Sequence, residues 1–181
     1  MRGSLALRAT LIGLAAGSAA SANAAAGDAY PAARIDGVTL IYESNDAAGV
    51  ENCRPIISSG SEERDKAACR TLIERGIPKD VAPARSIGDQ ARWVTTFDYP
   101  KELFAARASG FTEVLLEIGE KGRVTGCRVI GTSGHDRLDM AACNALSARA
   151  RFSPATFRGA PVPAIDFRRV RWTAPFRPPP S

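Results

Sequence analysis

The chain has 181 residues, four cysteines, one histidine and a net charge of +5 at pH 7. This length suits one domain or two small ones, and the positive charge suits an acidic partner or an anionic membrane surface. With a single histidine and no Cys-x-x-Cys pair, the usual zinc sites and thiol-exchange motifs are excluded. We expect neither a metal nor a cofactor.

The first 26 residues are organised like a signal peptide. Arg2 and Arg8 precede a run of small and apolar residues that ends in Ala-x-Ala steps at residues 22–26, and such steps match the cleavage rule. A spanning helix needs about 20 strongly apolar residues, whereas only residues 9–16 are convincingly apolar. We predict export with cleavage of residues 1–26; the alternative is an uncleaved membrane anchor. For an exported protein, nucleic acid is not an expected partner.

The rest of the chain contains an internal repeat. Residues 53–72 align without gaps with residues 127–146, and ten of the twenty positions are identical. The identical pairs are Cys53/Cys127, Arg54/Arg128, Ile56/Ile130, Ser59/Ser133, Gly60/Gly134, Asp65/Asp139, Ala67/Ala141, Ala68/Ala142, Cys69/Cys143 and Leu72/Leu146. The repeat predicts two similar structural units, a slightly acidic first unit (residues 27–97) and a basic second unit (residues 98–181).

Export and the repeat together predict how the cysteines pair. An even cysteine count in an oxidising compartment indicates disulfides. Four cysteines allow three connectivities, and the repeat selects one bridge inside each unit, Cys53 to Cys69 and Cys127 to Cys143.

The second unit has the clearer pattern of elements. Residues 99–110 predict a short helix, with Pro100 near its start and Gly110 just past its end. Alternating residues 111–118 and the run 123–134 predict a hairpin, residues 136–149 a second helix, and residues 164–174 a last strand. We expect an α+β fold: a small antiparallel three-stranded sheet with two helices on one face, in two tandem copies, the first of them degenerate. Each disulfide would link the middle strand to the following helix.

The first unit fits the same order with gaps. Its first helix is shortened to a turn, and residues 91–97 align with the last strand of the second unit, so that Trp93 corresponds to Trp172. Packing in the core is the simpler interpretation of both tryptophans.

The second unit resembles the C-terminal domain of TonB and its periplasmic relatives. The residues that carry the resemblance are Tyr-Pro at 99–100, Gly-Arg-Val at 122–124, Ser-Gly at 133–134, Leu-Asp at 138–139, "ARFSPA" at 150–155 and "RGAPV" at 158–162. The resemblance covers roughly residues 98–175 and implies a periplasmic binding module without enzymatic activity. In that family the domain binds an extended segment of an outer-membrane transporter as an extra strand beside its last strand.

That resemblance, with the strand pattern, places the candidate site on an edge strand. Backbone groups would pair with the partner, and side chains would add selectivity. The candidate residues are Phe167, Arg168, Arg169, Val170, Arg171 and Trp172. The alternative role of the arginines is to protect an exposed edge from aggregation.

We therefore expect a partner that is an outer-membrane TonB-dependent transporter or another envelope protein, with a homodimer through edge strands as a further possibility. Since only a few residues separate the predicted cleavage site from Tyr30, we expect no long spacer, and hence peptide binding rather than direct energy transduction. No nucleophile elbow, phosphate loop or metal cluster is present in the sequence. A membrane-anchored energy transducer and, less favoured, a thiol-disulfide enzyme are the alternatives.

Overall fold

The computed structural model describes residues 26–44 and 49–175, without the side chains of residues 26–31 and 44. The predicted signal peptide therefore lies outside the described residues, apart from Ala26. Among the helices that the structure describes, none is long and apolar enough to cross a membrane.

The described chain contains eleven strands and two α-helices. The strands are β1 Ala26–Ile35, β2 Val38–Ser44, β3 Val50–Ile57, β4 Val81–Ala82, β5 Arg85–Ser86, β6 Gly110–Ile118, β7 Val124–Gly131, β8 Phe152–Ser153, β9 Ala155–Phe157, β10 Ala160–Val162 and β11 Ala164–Trp172. The helices are α1 Glu62–Arg75 and α2 Asp136–Arg149, with 3₁₀ turns at Gln90–Arg92, Thr96–Asp98 and Lys101–Leu103.

Six of the strands form one antiparallel sheet in the order β3-β2-β1-β11-β6-β7. β1 connects its two halves, because residues 26–31 pair with β11 and residues 32–35 pair with β2. We name the two halves by their residues: the N-terminal module is residues 26–75, and the C-terminal module is residues 81–175. The α+β class with small antiparallel sheets is confirmed.

Each helix covers the outer strands of its own module. In α2 the buried residues Leu138, Ala142, Ala145 and Leu146 form one stripe, and fully burying a leucine contributes roughly 1.5–3 kcal/mol. In α1 the Ser61 side chain accepts a hydrogen bond from the Arg64 N–H, and the helix ends at Gly76. Acidic residues in the first turn and an arginine in the last turn favour both helices.

The hydrophobic core has three parts. One lies under α2 in the C-terminal module, and a smaller one lies under α1 in the N-terminal module. The third lies on the opposite face of the sheet and joins the modules. Its buried members are Ala32, Ile41, Leu115 and Phe167, each at most 3% exposed. This shared cluster ties the two modules together across the middle of the sheet.

The predicted helix at residues 99–110 is wrong. The structure has only a 3₁₀ turn at Lys101–Leu103, so the C-terminal module carries one α-helix instead of two. The physical reason is the Tyr99 hydroxyl, which donates to the carbonyl oxygens of Leu103 at 3.1 Å and Ala108 at 2.8 Å. These bonds close the segment as a compact turn, and Arg107 has a left-handed backbone with φ of 48°.

The predicted last strand of the first unit, at residues 91–97, is also wrong. This segment forms two 3₁₀ turns, and Trp93 is 3% exposed in the core of the C-terminal module. Its ring contacts Phe152, with a centroid separation of 5.3 Å. Residues 91–97 thus pack with the C-terminal module, while a domain boundary at residues 97–98 stays a prediction.

β1 takes the place that residues 91–97 were expected to fill. In both modules a hairpin is followed by a helix, and a third strand pairs with the first strand of the hairpin: β1 with β2, and β11 with β6. The third strand precedes the hairpin in the N-terminal module and follows the helix in the C-terminal module. The two modules are thus alike in arrangement. That the N-terminal module is a degenerate copy of the C-terminal one stays a prediction.

Candidate functional site

The strand β11 lies in the middle of the sheet. All of its nine residues pair with β6, from Ala164 opposite Ile118 to Trp172 opposite Gly110. On its other side, Asp166, Phe167, Arg168 and Val170 pair with residues of β1. The expectation that β11 is an unpaired edge is therefore wrong for this chain, because the chain's own first strand occupies that edge. Whether the six candidate residues bind a partner stays a prediction.

Four of the six candidate side chains are buried. Phe167 belongs to the cluster between the modules, and Val170 and Trp172 pack in the core under α2. The Trp172 ring N–H donates to the Thr112 hydroxyl at 2.9 Å. A partner at β11 would consequently meet backbone groups and few of the predicted side chains.

Arg168 is a large, almost completely buried side chain that packs in the core. Its guanidinium pairs with the Asp166 carboxylate and donates to Gln90 Oε1 at 2.8 Å and Ser86 Oγ at 2.5 Å. It also lies over the neighbouring rings of Trp93 and Phe152, at 5.0 and 5.5 Å from their centroids. Burial raises the pKa of Asp166, and the neighbouring guanidinium opposes that shift. Arg168 thus fastens the segment around Ser86 and Gln90 to β11.

The accessible candidates are Arg169 and Arg171. Arg169 Nη2 contacts Glu113 Oε1 at 2.5 Å, and its guanidinium lies 5.7 Å from the ring centroid of Phe111. Arg171 is exposed and pairs across the ladder with Phe111, which is 51% exposed. Of the six candidate residues, Arg169 and Arg171 are therefore the two whose side chains are not buried, and both lie next to the exposed Phe111.

The predicted disulfides are confirmed. Cys53 is bonded to Cys69 and Cys127 to Cys143, with Cα atoms 5.6 and 5.7 Å apart. Each links an outer strand, β3 or β7, to the helix packed on it. The sequence predicted that these strands lie in the middle of each unit, whereas they lie at the two edges of the sheet. Each disulfide therefore links its helix to a strand that has only one neighbour in the described sheet.

A second repeated feature was missed by the sequence analysis. Asp139 accepts hydrogen bonds from the Ser133 N–H at 2.9 Å and from the hydroxyls of Thr112 at 2.6 Å and Thr132 at 2.5 Å. Burial raises the pKa of Asp139, but these hydrogen bonds together outweigh it and hold the pKa below its ordinary value.

Asp65 repeats this arrangement in the N-terminal module. It accepts from the Ser59 N–H at 2.9 Å and the Ser59 hydroxyl at 2.8 Å. Hydrogen bonds from Ser58 and Ser59 lower its pKa. The signal was in the repeat, since Ser-Gly and an aspartate recur at equal spacing in both copies.

Gly122, in the family-like "GRV", is required by a close approach. Its backbone φ is +69°, and a Cβ there would lie 1.8 Å from the Phe152 carbonyl oxygen. The Phe152 N–H in turn donates to the Gly122 carbonyl at 3.0 Å. The hairpin turn therefore packs directly on the segment that begins "FSPA".

These features define a small α+β protein in which each disulfide links a hairpin to the helix that packs on it. Among the residues that the structure describes, no cluster of His, Cys, Asp or Glu is arranged to hold a metal ion.

Residues 95–173 match the family described as Gram-negative bacterial TonB protein C-terminal. Residues 95–173 therefore carry a TonB C-terminal domain, which covers less than half of the chain. No curated protein and no solved structure is significantly similar to the chain. The presence of this domain from an envelope-associated family suggests involvement in TonB-type envelope transport or in protein interaction.

Proposed function

We propose that the chain is a periplasmic protein-binding module of TonB-dependent transport, and that an extended partner segment pairs with the outer edge of β11. The partner we favour is an outer-membrane TonB-dependent transporter. The observation that carries the proposal is the pairing of residues 26–31 with β11. A strand of the chain itself occupies the position that the family uses for its partner.

The limited pairing between β1 and β11 supports the replacement of residues 26–31 by a partner strand. Residues 26–31 pair with β11, and the ladder is interrupted between Ala26 and Ala29. The pairing of β1 with β2 in the described sheet begins only at Ala32. Release of residues 26–31 would therefore leave the join to β2 and the cluster at Ala32 intact. A partner that replaces them would restore the same backbone hydrogen bonds.

The alternatives receive less support from the described residues. Energy transduction would need an anchor in residues 1–25, which lie outside the description. A thiol-disulfide enzyme would need an accessible thiolate, whereas all four cysteines lie in disulfides.

The experiment compares the mature protein with a form that begins at Ala32. The probe is a fluorescent peptide from the plug segment of an outer-membrane TonB-dependent transporter. A competing internal strand lowers the apparent affinity in proportion to the fraction of molecules with a free edge. We expect the shortened form to bind the peptide at least about tenfold more tightly, and a peptide of residues 26–31 to compete for binding.

Two controls make the comparison specific. A transporter peptide with proline at alternate positions should not bind, because proline has no N–H to donate to a ladder. Thermal unfolding should show that the shortened form stays folded. Equal affinity of the mature and shortened forms for the unmodified peptide would contradict the proposal.

A further inference from the structure

The two outer strands of the sheet, β3 and β7, offer a second place for strand addition. Within the described sheet each pairs with a single neighbour, β3 with β2 and β7 with β6. Each is also disulfide-bonded to its helix. The two edges thus have the same construction, and their side chains can be compared position by position.

The first difference is a proline. When Cys53 is aligned with Cys127, Pro55 of β3 corresponds to Val129 of β7. Both residues are in register with the neighbouring strand, Pro55 with Leu40 and Val129 with Val114. Proline has no N–H, so the ladder with β2 can use no donor there. The correspondence of the two copies therefore predicts that the N–H of the matching Val129 faces away from β6. Proline on an edge strand blocks pairing with another chain, and β7 lacks this block.

The second difference lies on the helices. Pro55 and Lys66 line one cleft of about 490 Å³ beside the Cys53–Cys69 disulfide. Lys66 pairs with Glu62 at 2.6 Å. The residue that matches Lys66 is Met140, three positions before Cys143 and therefore on the same side of α2. Met140 is 56% exposed and Val129 is 38% exposed. β7, the edge strand without a proline at this position, is therefore also the one flanked by exposed apolar side chains.

We propose that the outer edge of β7, with Val129 and Met140 beside it, binds an extended segment of a partner protein in which apolar and acidic side chains alternate. We name it the β7 edge site. It is distinct from the position beside β11, which lies on the far side of β6.

The alternation follows from the two faces of β7. Val129 and Cys127 face α2, because their ladder partners Val114 and Leu116 pack in the core under α2. Arg128 is exposed on the other face, opposite Leu115. An added strand would alternate in the same way, with apolar side chains against Val129 and Met140 and acidic ones near Arg128. β7 itself carries no acidic residue between residues 123 and 131. The Glu113 carboxylate of β6 reaches Gly131 on this face but is paired with Arg169, and the Glu117 carboxylate lies beside Gly126, so Arg128 is the position at which an acidic side chain gains most.

A second copy of the chain is a poorer occupant. Two β7 strands paired antiparallel would bring their Arg128 side chains onto the same face within a few residues of each other, and like charges oppose such pairing. An acidic partner gains from the same arginine.

The test uses the complete mature protein and a fluorescent ten-residue peptide that alternates valine and glutamate. We expect Val129→Pro to abolish measurable binding. Met140→Gln should weaken it by about tenfold, since apolar burial of a methionine contributes roughly that factor. Arg128→Glu should reverse the preference between this peptide and one that alternates valine and lysine. Mass mapping of both disulfides and thermal unfolding verify that each variant is folded.

The N-terminal module supplies a matched gain-of-function control. Pro55→Val combined with Lys66→Met copies the β7 edge site onto β3, and we expect two peptides to bind per chain instead of one. Retained binding by folded Val129→Pro and Met140→Gln variants, or no binding of the peptide by the parent, would overturn the proposal. Sedimentation in which Val129→Pro converts a dimer to a monomer would instead assign this edge to self-association, and so also overturn it.

These outcomes are separate from those at β11. The peptide is tested on a chain in which residues 26–31 are present, and the β7 variants leave that edge unchanged. Failure of either proposal therefore leaves the other standing.

Discussion

The N-terminal module places its third strand before the hairpin, and the C-terminal module places it after the helix. Between these strands the two modules agree in detail: hairpin, Ser-Gly turn, aspartate, helix and disulfide follow in the same order. Position in a sheet depends on backbone hydrogen bonds, which are indifferent to the order of strands along the chain. The comparison indicates that the segment from hairpin to helix is the repeated unit, and that the third strand is a separate addition.

The modules differ more in how their cores are completed. The core of the C-terminal module includes Ala84, Trp93 and Val94 from the stretch that precedes β6, and the buried Arg168 holds this stretch through Ser86 and Gln90. The N-terminal module has a smaller cluster under α1. Two modules built on the same repeat can therefore differ in what limits their stability, and four predictions make this difference measurable.

The largest effect is expected at the buried ion pair, which belongs to the C-terminal module alone. Asp166→Asn leaves the Arg168 guanidinium buried without its carboxylate, and breaking such a pair typically lowers stability by about 3–5 kcal/mol. Urea unfolding of the variant measures the loss. Replacing both residues, Asp166→Leu with Arg168→Met, should recover most of it. A double variant as unstable as the single one would show that the neighbours Gln90 and Ser86 need the arginine.

The next effect is loss of a disulfide in either module. Both bridges join residues separated by 16 positions, so the chain-entropy model assigns each roughly 3 kcal/mol. Cys53→Ser/Cys69→Ser and Cys127→Ser/Cys143→Ser should therefore shift the urea midpoint by similar amounts. A clearly larger loss in one module would measure how much its core depends on the staple, and no loss in either would contradict the structural role.

A smaller effect is expected at the repeated aspartates. Asp139→Asn removes a buried charged acceptor and should lower stability by about 1–3 kcal/mol at pH 7. The folded-state pKa of Asp139 is lower than its ordinary value. The ionised carboxylate therefore stabilises the fold in full at pH values above the ordinary aspartate pKa of about 3.9. This stability is lost as the pH falls through the lowered folded-state pKa.

The difference in stability between wild type and Asp139→Asn should consequently shrink as the pH falls below about 4 and through the lowered folded-state pKa. Asp65→Asn should behave in the same direction, since the pKa of Asp65 is also lowered. Stability measured against pH for both variants tests the equivalence. A difference that grows on acidification would refute it.

The smallest effect is expected on the surface of α1. Lys66→Met removes the exposed pair with Glu62, and such pairs contribute about 0.3–0.5 kcal/mol. Thermal unfolding should therefore change little, which makes the substitution suitable for transplanting the β7 edge site. A loss above about 1 kcal/mol would mean that Lys66 supports the N-terminal module in another way.

Much of the local structure follows from the sequence. The repeat identified both disulfides, the hairpin that precedes Cys127 and the helix that contains Cys143, because these depend on contacts between residues close in the chain. Residues 99–110 were predicted as a helix because their spacing is helical. The contact that closes this segment as a turn, from the Tyr99 hydroxyl to the carbonyls of Leu103 and Ala108, is local but leaves no periodic signal in the sequence.

The candidate site shows the same division. Strand character at residues 164–172 was readable from alternation and β-forming residues, but alternation cannot tell which side of a strand is paired. Arg168 was predicted to contact a partner or to protect an edge, whereas the fold buries it against Asp166, Gln90, Ser86 and two aromatic rings that are distant or unmarked in the sequence.

The sequence by itself determined the family of residues 95–173, the cysteine pairing and the repeated hairpin-to-helix segment, since these reside in local order and spacing. The tertiary structure alone decided that β1 occupies the edge of β11, that residues 91–97 complete the core of the C-terminal module, and that β3 and β7 border the sheet. Each of these depends on contacts between segments distant in the chain, where backbone pairing and apolar burial, rather than local propensity, select one arrangement.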